Sequence, residues 1–167
     1  MCIRDRSITR VRWGGVRHSV NGIPTGTTYH IAFGDGSDVA AVELRNEAVY
    51  NDFTRRLWGA VCVRLMISYA EGLRAGKQYR FGDIVLGDNG CEVEQHKFLT
   101  TQRVTAPWAD LRVWSSDGNV VVGLSSNNKA YGKASYKDTD NAHILEAMIR
   151  MFFKDTKARR VSDAILS

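Results

Sequence analysis

Residues 111–124 read LRVWSSDGNVVVGL. Two β-prone runs, 111–115 and 120–124, flank Asp117-Gly118, a dipeptide that tolerates the positive φ of a tight hairpin turn. The segment therefore predicts two antiparallel strands. Asn21-Gly22, Asp35-Gly36 and Asn89-Gly90 repeat the same signal among β-prone neighbours. Together they predict a meander with strands at 8–13, 27–33, 39–44, 79–86, 91–99, 111–115, 120–124 and 129–136.

Two segments carry a helical period instead. From Asn46 to Ala75, residues Tyr50, Phe53, Leu57, Val61, Leu65 and Tyr69 recur every three or four positions. Gly76 stands where a C-terminal cap belongs, and Gly59 marks a place for a break. The second helix opens after Asp138-Thr139-Asp140-Asn141, side chains suited to capping, and runs through Ile144, Leu145, Met148, Ile149 and Phe152. Residues 155–167 read as a basic tail. The expected class is α+β: antiparallel strands and a long amphipathic helix, then a bent antiparallel sheet capped by a C-terminal helix.

With 167 residues, 44% hydrophobic, 25% charged and a net charge of +5, the chain has the composition of a folded globular protein. This excess of positive charge permits nucleic acid or anionic lipid as a partner without requiring either. The apolar stretch 61–70 is interrupted by Arg64 and is too short to span a membrane. Cys62 and Cys91 lack CxxC spacing and a neighbouring His, so a reducing, cytoplasmic setting and no metal site are expected. The first six residues, Met1-Cys2-Ile3-Arg4-Asp5-Arg6, resemble the translation of a sequencing adapter found in metagenomic assemblies, which implies a natural protein extending further upstream.

From Ala75 onward the sequence resembles a bacterial pleckstrin-homology-like domain. The resemblance rests on Ala75-Gly76, Phe81-Gly82-Asp83-Ile84-Val85-Leu86, the turn at Gly90, Pro107-Trp108-Ala109-Asp110-Leu111, Asp117-Gly118 and Asn141. It implies about seven strands in a partly open barrel or sheet pair, and relatives that bind phosphoinositides, peptides or partner proteins. Trp108 and Asp110 then read as a packing anchor and a loop residue, and Gly82 and Gly90 as glycines relieving turns or bulges. The order strand, turn, strand, helix recurs in 27–58 and 118–153. A partial first module over 7–76, followed by a second over 77–154, would explain that recurrence.

The resemblance places phosphoinositide binding in the module's first hairpin. That hairpin carries Asp83, Asp88, Glu92 and Glu94 against only Arg80 and Lys97, which disfavours a phosphate ligand there. Period-two alternation instead groups Lys129, Tyr131, Lys133, Ser135 and Lys137 on one strand face. Lys129, Tyr131, Lys133 and Lys137 are thus candidate anion-binding residues, although strand lysines also serve to block edge-to-edge association. His18, His30, His96 and His143 accompany no nucleophile motif, and neither GxSxG, HExxH nor a phosphate-binding loop occurs. The expectation is a binding or scaffolding module without catalytic residues or cofactor, making protein or peptide contacts. The alternative is nucleic-acid or anionic membrane-surface binding through the basic strand face and tail.

Overall fold

A computed structural model describes residues 7–36, 38–96 and 100–167. Residues 1–6, Lys97 and the expected strand end at 99 lie outside the described residues. The fold is α+β, with three antiparallel sheets, none closed into a barrel among the described residues. The first sheet joins β1 (Arg10–Val20), β2 (Ile23–Gly34) and β3 (Val39–Leu44). A helical segment follows, made of α1 (Glu47–Leu57), a π turn (Trp58–Cys62) and α2 (Val63–Arg74). The second sheet has β4 (Tyr79–Phe81), β5 (Ile84–Leu86), β6 (Gly90–His96) and β7 (Thr101–Pro107) in sequence order. After a 3-10 turn (Trp108–Asp110), the third sheet holds β8 (Leu111–Ser116), β9 (Asn119–Leu124) and β10 (Tyr131–Ser135), with β9 central. Helices α3 (Ala142–Lys154) and α4 (Val161–Leu166) end the chain.

All four dipeptides fall where consecutive antiparallel strands reverse, β1–β2, β2–β3, β5–β6 and β8–β9, and two of them close two-residue turns. Asn21 and Gly22 adopt φ of 51° and 81°, and Asp117 and Gly118 adopt 49° and 74°, the paired positive values of a type I′ hairpin. Asn89-Gly90 does not close such a turn. Gly90 begins β6, and a Cβ there would lie 2.1 Å from the Ala106 carbonyl oxygen, so the glycine admits close approach by β7. The expected strand 79–86 is itself a hairpin, reversed at Gly82 (φ 57°) and Asp83. Gly82 also lets β10 cross closely: a Cβ there would meet the Lys133 carbonyl oxygen at 2.5 Å, and the Asp83 N–H donates to that oxygen at 3.0 Å. A bridge between Gln95 and Ala130 completes the junction of the second and third sheets.

The long helix begins and ends as its sequence demands. The Asn46 side chain accepts from the Val49 N–H at 3.1 Å. At the other end Gly76 (φ 83°) donates to Leu73 O and Lys77 to Gly72 O, the pair of bonds that makes a Schellman cap. Around Gly59 the helix does not break but widens into the π turn. On the N-terminal side Tyr50 stacks on Tyr29 and Phe53 meets Phe33, both on the first sheet. On the C-terminal side Tyr69 meets Tyr79 and Phe81 on the second. The widened turn thus lies where one helix changes partners.

A single hydrophobic cluster draws on every layer, from Val11 and Ile31 of the first sheet through Val61, Leu65 and Leu73 to Ile84, Val122, Ile144, Met148 and Val161. Residues 155–167, expected as a tail, instead carry α4, whose Val161 and Ser162 are fully buried. Asp88 fastens that helix, accepting from the Ser162 N–H at 2.8 Å and the Ser162 hydroxyl at 2.9 Å. Trp108 anchors the opposite side of the same loop, donating from Nε1 to the Asp88 carbonyl at 3.1 Å. Asp110 closes the 3-10 turn with an exposed side chain, and its carbonyl accepts from the Ser125 N–H.

Candidate binding face

The hairpin turn at Asp117-Gly118 fixes register, and register decides which side chains share a face. Ser116 pairs with Asn119, so Trp114 lies opposite Val121 and Arg112 opposite Gly123. On the other side of β9, Gly123 pairs with Tyr131 and Val121 with Lys133. Arg112, Trp114, Tyr131 and Lys133 therefore project from the same side of the third sheet. The opposite side holds Val120, Val122 and Ala134, all in the core, where α3 covers it.

On the outer side the two cations stand over the two aromatics. The Arg112 guanidinium carbon lies 5.0 Å from the Trp114 ring centroid, and Lys133 Nζ lies 5.2 Å from that of Tyr131. Gly123 sits beneath them: a Cβ there would meet both Trp114 Cη2 and Tyr131 Cβ at 3.0 Å. The indole thus lies across the bare backbone of β9, on the side from which Tyr131 also projects. An Asn128 side-chain oxygen accepts from Arg112 and holds it in place.

Only part of the expected lysine stripe survives. Strand β10 spans only Tyr131–Ser135, so Tyr131 and Lys133 share the face while Lys129 and Lys137 lie in the flanking turns. The turn before β10 is set by Ala130 N–H donating to Asn127 O, and Lys129 donates its own N–H to the Asn127 side chain. After Ser135 the chain turns under Asp138, which accepts from the Ser135 hydroxyl. Lys137 then packs its backbone against Gly14 of β1, beside a shallow cavity of about 290 Å³ that also touches Arg12, His30 and Glu43. Sequence alternation missed Arg112 and Trp114. Counting outward from the Asp117-Gly118 turn would have placed both.

Several titratable groups elsewhere are engaged structurally. His143 is stacked between Trp13 and Tyr136, at 4.2 and 4.4 Å between centroids, and its Nε2 donates to the Trp13 carbonyl. Burial lowers its pKa, opposed by that hydrogen bond and by the charge of Glu146. Burial would raise the Glu146 pKa, but hydrogen bonds from Tyr136, Arg150 and Ser115 outweigh it and hold the carboxylate below its usual range. His30 pairs with Glu43 and His18 with Thr28. Burial pushes the Cys62 thiol up to about 12 and raises Cys91 as well, which makes both poor nucleophiles. No group of three metal-ligating side chains forms among the described residues, and no described helix is long and apolar enough to cross a membrane. Comparison with family models, with curated proteins and with solved structures found no match.

Proposed function

We propose that the chain is a pleckstrin-homology-like binding or scaffolding module that contacts an acidic protein or peptide segment through the outer face of β8–β10. The fold side of this reading is supported by four antiparallel strands, β4–β7, followed by three, β8–β10, and then by α3. The order β1, β2, β3, α1 repeats that of β8, β9, β10, α3, which supports tandem modules. Two buried thiols suit a reducing, cytoplasmic compartment.

One observation carries the site. Arg112, Lys129 and Lys133 have no carboxylate partner among the described residues, whereas Arg12, Arg56, Arg103, Arg150 and Arg160 each sit on one. Uncompensated cations beside half-buried aromatic rings have the composition of a contact face for anions. The experiment is fluorescence anisotropy with a labelled acidic peptide and a labelled oligothymidylate, each titrated at low and high salt. Peptide binding that weakens with salt, and by about tenfold in the Arg112→Glu/Lys133→Glu variant, is the expected result. Two aromatic rings, Trp114 and Tyr131, on one sheet face favour single-stranded nucleic acid as the second reading, since bases stack on such rings. Preference for the oligonucleotide, with quenching of Trp114, would establish it. Absence of both complexes at low salt would remove this face as a binding site.

A further inference from the structure

The hairpin of β1 and β2 outruns the sheet that supports it. Strand β3 pairs with β2 only over Tyr29–Gly34, so from Val16 to Thr28 the hairpin is a two-stranded ribbon. Every residue from Arg17 to Gly26 is exposed. At the far end the Asn21-Gly22 turn holds Val20 opposite Ile23, and residues paired in this way project to the same face. These two are the most exposed large apolar side chains among the described residues, at 61% and 68%. A lone two-stranded ribbon is marginal in water, and an uncovered apolar pair at its tip contributes nothing to the core.

The charge of the hairpin has one sign. From Arg10 to Gly34 it contains Arg10, Arg12, Arg17, His18 and His30 and neither Asp nor Glu. Arg10 and Arg12, close to the body, sit on Asp140. Arg17 and Arg45, the residue after β3, have no carboxylate partner among the described residues. His18 pairs with Gly26 and Ser19 with Pro24, which leaves Thr25 as the extra residue of a bulge that twists the end of the ribbon. Beside the bulge lies a recess of about 600 Å³ lined by His18, Thr25, Gly26, Thr27, Thr28 and Arg45, with no carboxylate among them. His18 Nε2 and the Thr28 hydroxyl share a hydrogen bond of 2.9 Å across the strands. Arg17 alternates with His18, so cationic and hydroxyl groups occupy both faces of the ribbon behind its apolar tip.

We propose that this ribbon docks on an anionic membrane surface, Val20 and Ile23 entering the acyl boundary while Arg17, Arg45 and the threonine-lined recess meet lipid phosphates. The spacing fits. Arg17 lies three residues behind Val20, which at a strand rise of about 3.3 Å per residue is roughly 10 Å. An apolar face enters the headgroup and acyl boundary by roughly 5–10 Å, so the cations come to rest among the headgroups. A projecting tip offers no groove to a peptide. A second copy would set one carboxylate-free ribbon against another, whereas an anionic bilayer supplies both the apolar interior and the opposite charge. The ribbon belongs to the first sheet, and its docking does not depend on the β8–β10 face.

The test is co-sedimentation of the full chain with vesicles of phosphatidylcholine plus phosphatidylglycerol and with vesicles of phosphatidylcholine alone, each at low and high salt. The chain binds the anionic vesicles, and binding weakens about tenfold or more on neutral vesicles or at high salt. Val20→Ser/Ile23→Ser and Arg17→Glu/Arg45→Glu each lower affinity for anionic vesicles by about tenfold, whereas Val20→Trp/Ile23→Trp retains binding. All four positions are exposed, and circular dichroism of each variant verifies the fold. The Arg112→Glu/Lys133→Glu variant still binds vesicles through the ribbon, so failure here is distinct from failure at the β8–β10 face. Absence of vesicle binding at low salt, or undiminished binding by Val20→Ser/Ile23→Ser, would overturn the proposal. So would a dimer in sedimentation velocity that the serine variant abolishes, since the tip would then be covered by a second copy.

Discussion

At the scale of the residue, Asn141 joins more of the molecule than any signal in its neighbourhood announces. Its position before α3 suggests an N-cap, yet the residue is left-handed (φ 63°) and its side chain makes no cap hydrogen bond. It points instead to β1, where Oδ1 accepts from the Val11 N–H and Nδ2 donates to the Thr9 carbonyl and to the Tyr69 hydroxyl. The backbone repeats the link, with the Asn141 N–H donating to Val11 O at 2.7 Å. One residue thereby ties the first sheet, α2 and α3, and it is only 4% exposed. Asn141→Ala would leave the Val11 N–H and Thr9 carbonyl without this partner and would replace a residue that tolerates positive φ by one that adopts it at greater cost. A loss of about 3 kcal/mol in urea unfolding is expected from a few unsatisfied groups plus αL strain. Asn141→Gly removes the strain but not the loss of partners, so it should recover roughly 1 kcal/mol of that deficit. Equal stability of the alanine variant and the parent would mean that the side chain is dispensable. The sequence marks Asn141 as a helix opener because that information is local. Its partners lie up to 132 residues away, and no local pattern carries them.

At the scale of the element, the turns that needed special backbone were legible and one edge strand, β7, was not. Asn21-Gly22 and Asp117-Gly118 reveal themselves because few residues adopt two consecutive positive φ angles. Strand β7 gave no such sign: most of Thr101–Pro107 is exposed, and its alternation is too weak to stand out. The split between β4 and β5 was hidden because Gly82-Asp83 sits inside the apolar run YRFGDIVL. The long helix offers a direct test of packing against propensity, since it contains two glycines in opposite situations. A Cβ on Gly59 would meet nothing within 4 Å, whereas one on Gly72 would fall 1.8 Å from the Tyr79 hydroxyl. Gly59→Ala should therefore stabilise by about 0.5–1 kcal/mol through helix propensity. The same substitution at Gly72 should destabilise by about 1–3 kcal/mol through overpacking. Thermal denaturation of the two variants decides the matter, and Tyr79→Phe added to Gly72→Ala should restore part of the loss. Two shifts of the same sign would show that the Tyr79 contact does not set the tolerance of α2.

At the scale of the whole molecule, the question is whether the repeated order of elements makes two independent bodies. The division at residue 76 followed the recurring order of elements and the resemblance that begins at Ala75, and the candidate face lies wholly within 77–154. Cohesion was not visible, because it depends on α4. That short helix packs against both α2 and α3, and Val161 and Ser162 have no exposed surface. Asp88 holds it from the loop between β5 and β6, and Asp163 meets Arg74 of α2 and Arg160. Together with Asn141 and the cluster that continues from Val11 to Val161, α4 makes the first sheet and the second pair of sheets share one core. Such a core unfolds cooperatively, so tryptophan fluorescence and far-ultraviolet circular dichroism should trace one coincident urea transition. Asp88→Ala removes both side-chain bonds to Ser162, and about 1–3 kcal/mol should be lost from that same single transition. If α4 were merely an appendage, Asp88→Ala would accelerate hydrogen exchange at 161–166 while the global midpoint stayed unchanged. Two separated transitions would refute the shared core directly, because β1–β3 with α1 would then melt apart from β4–β10 despite the bonds through Asn141.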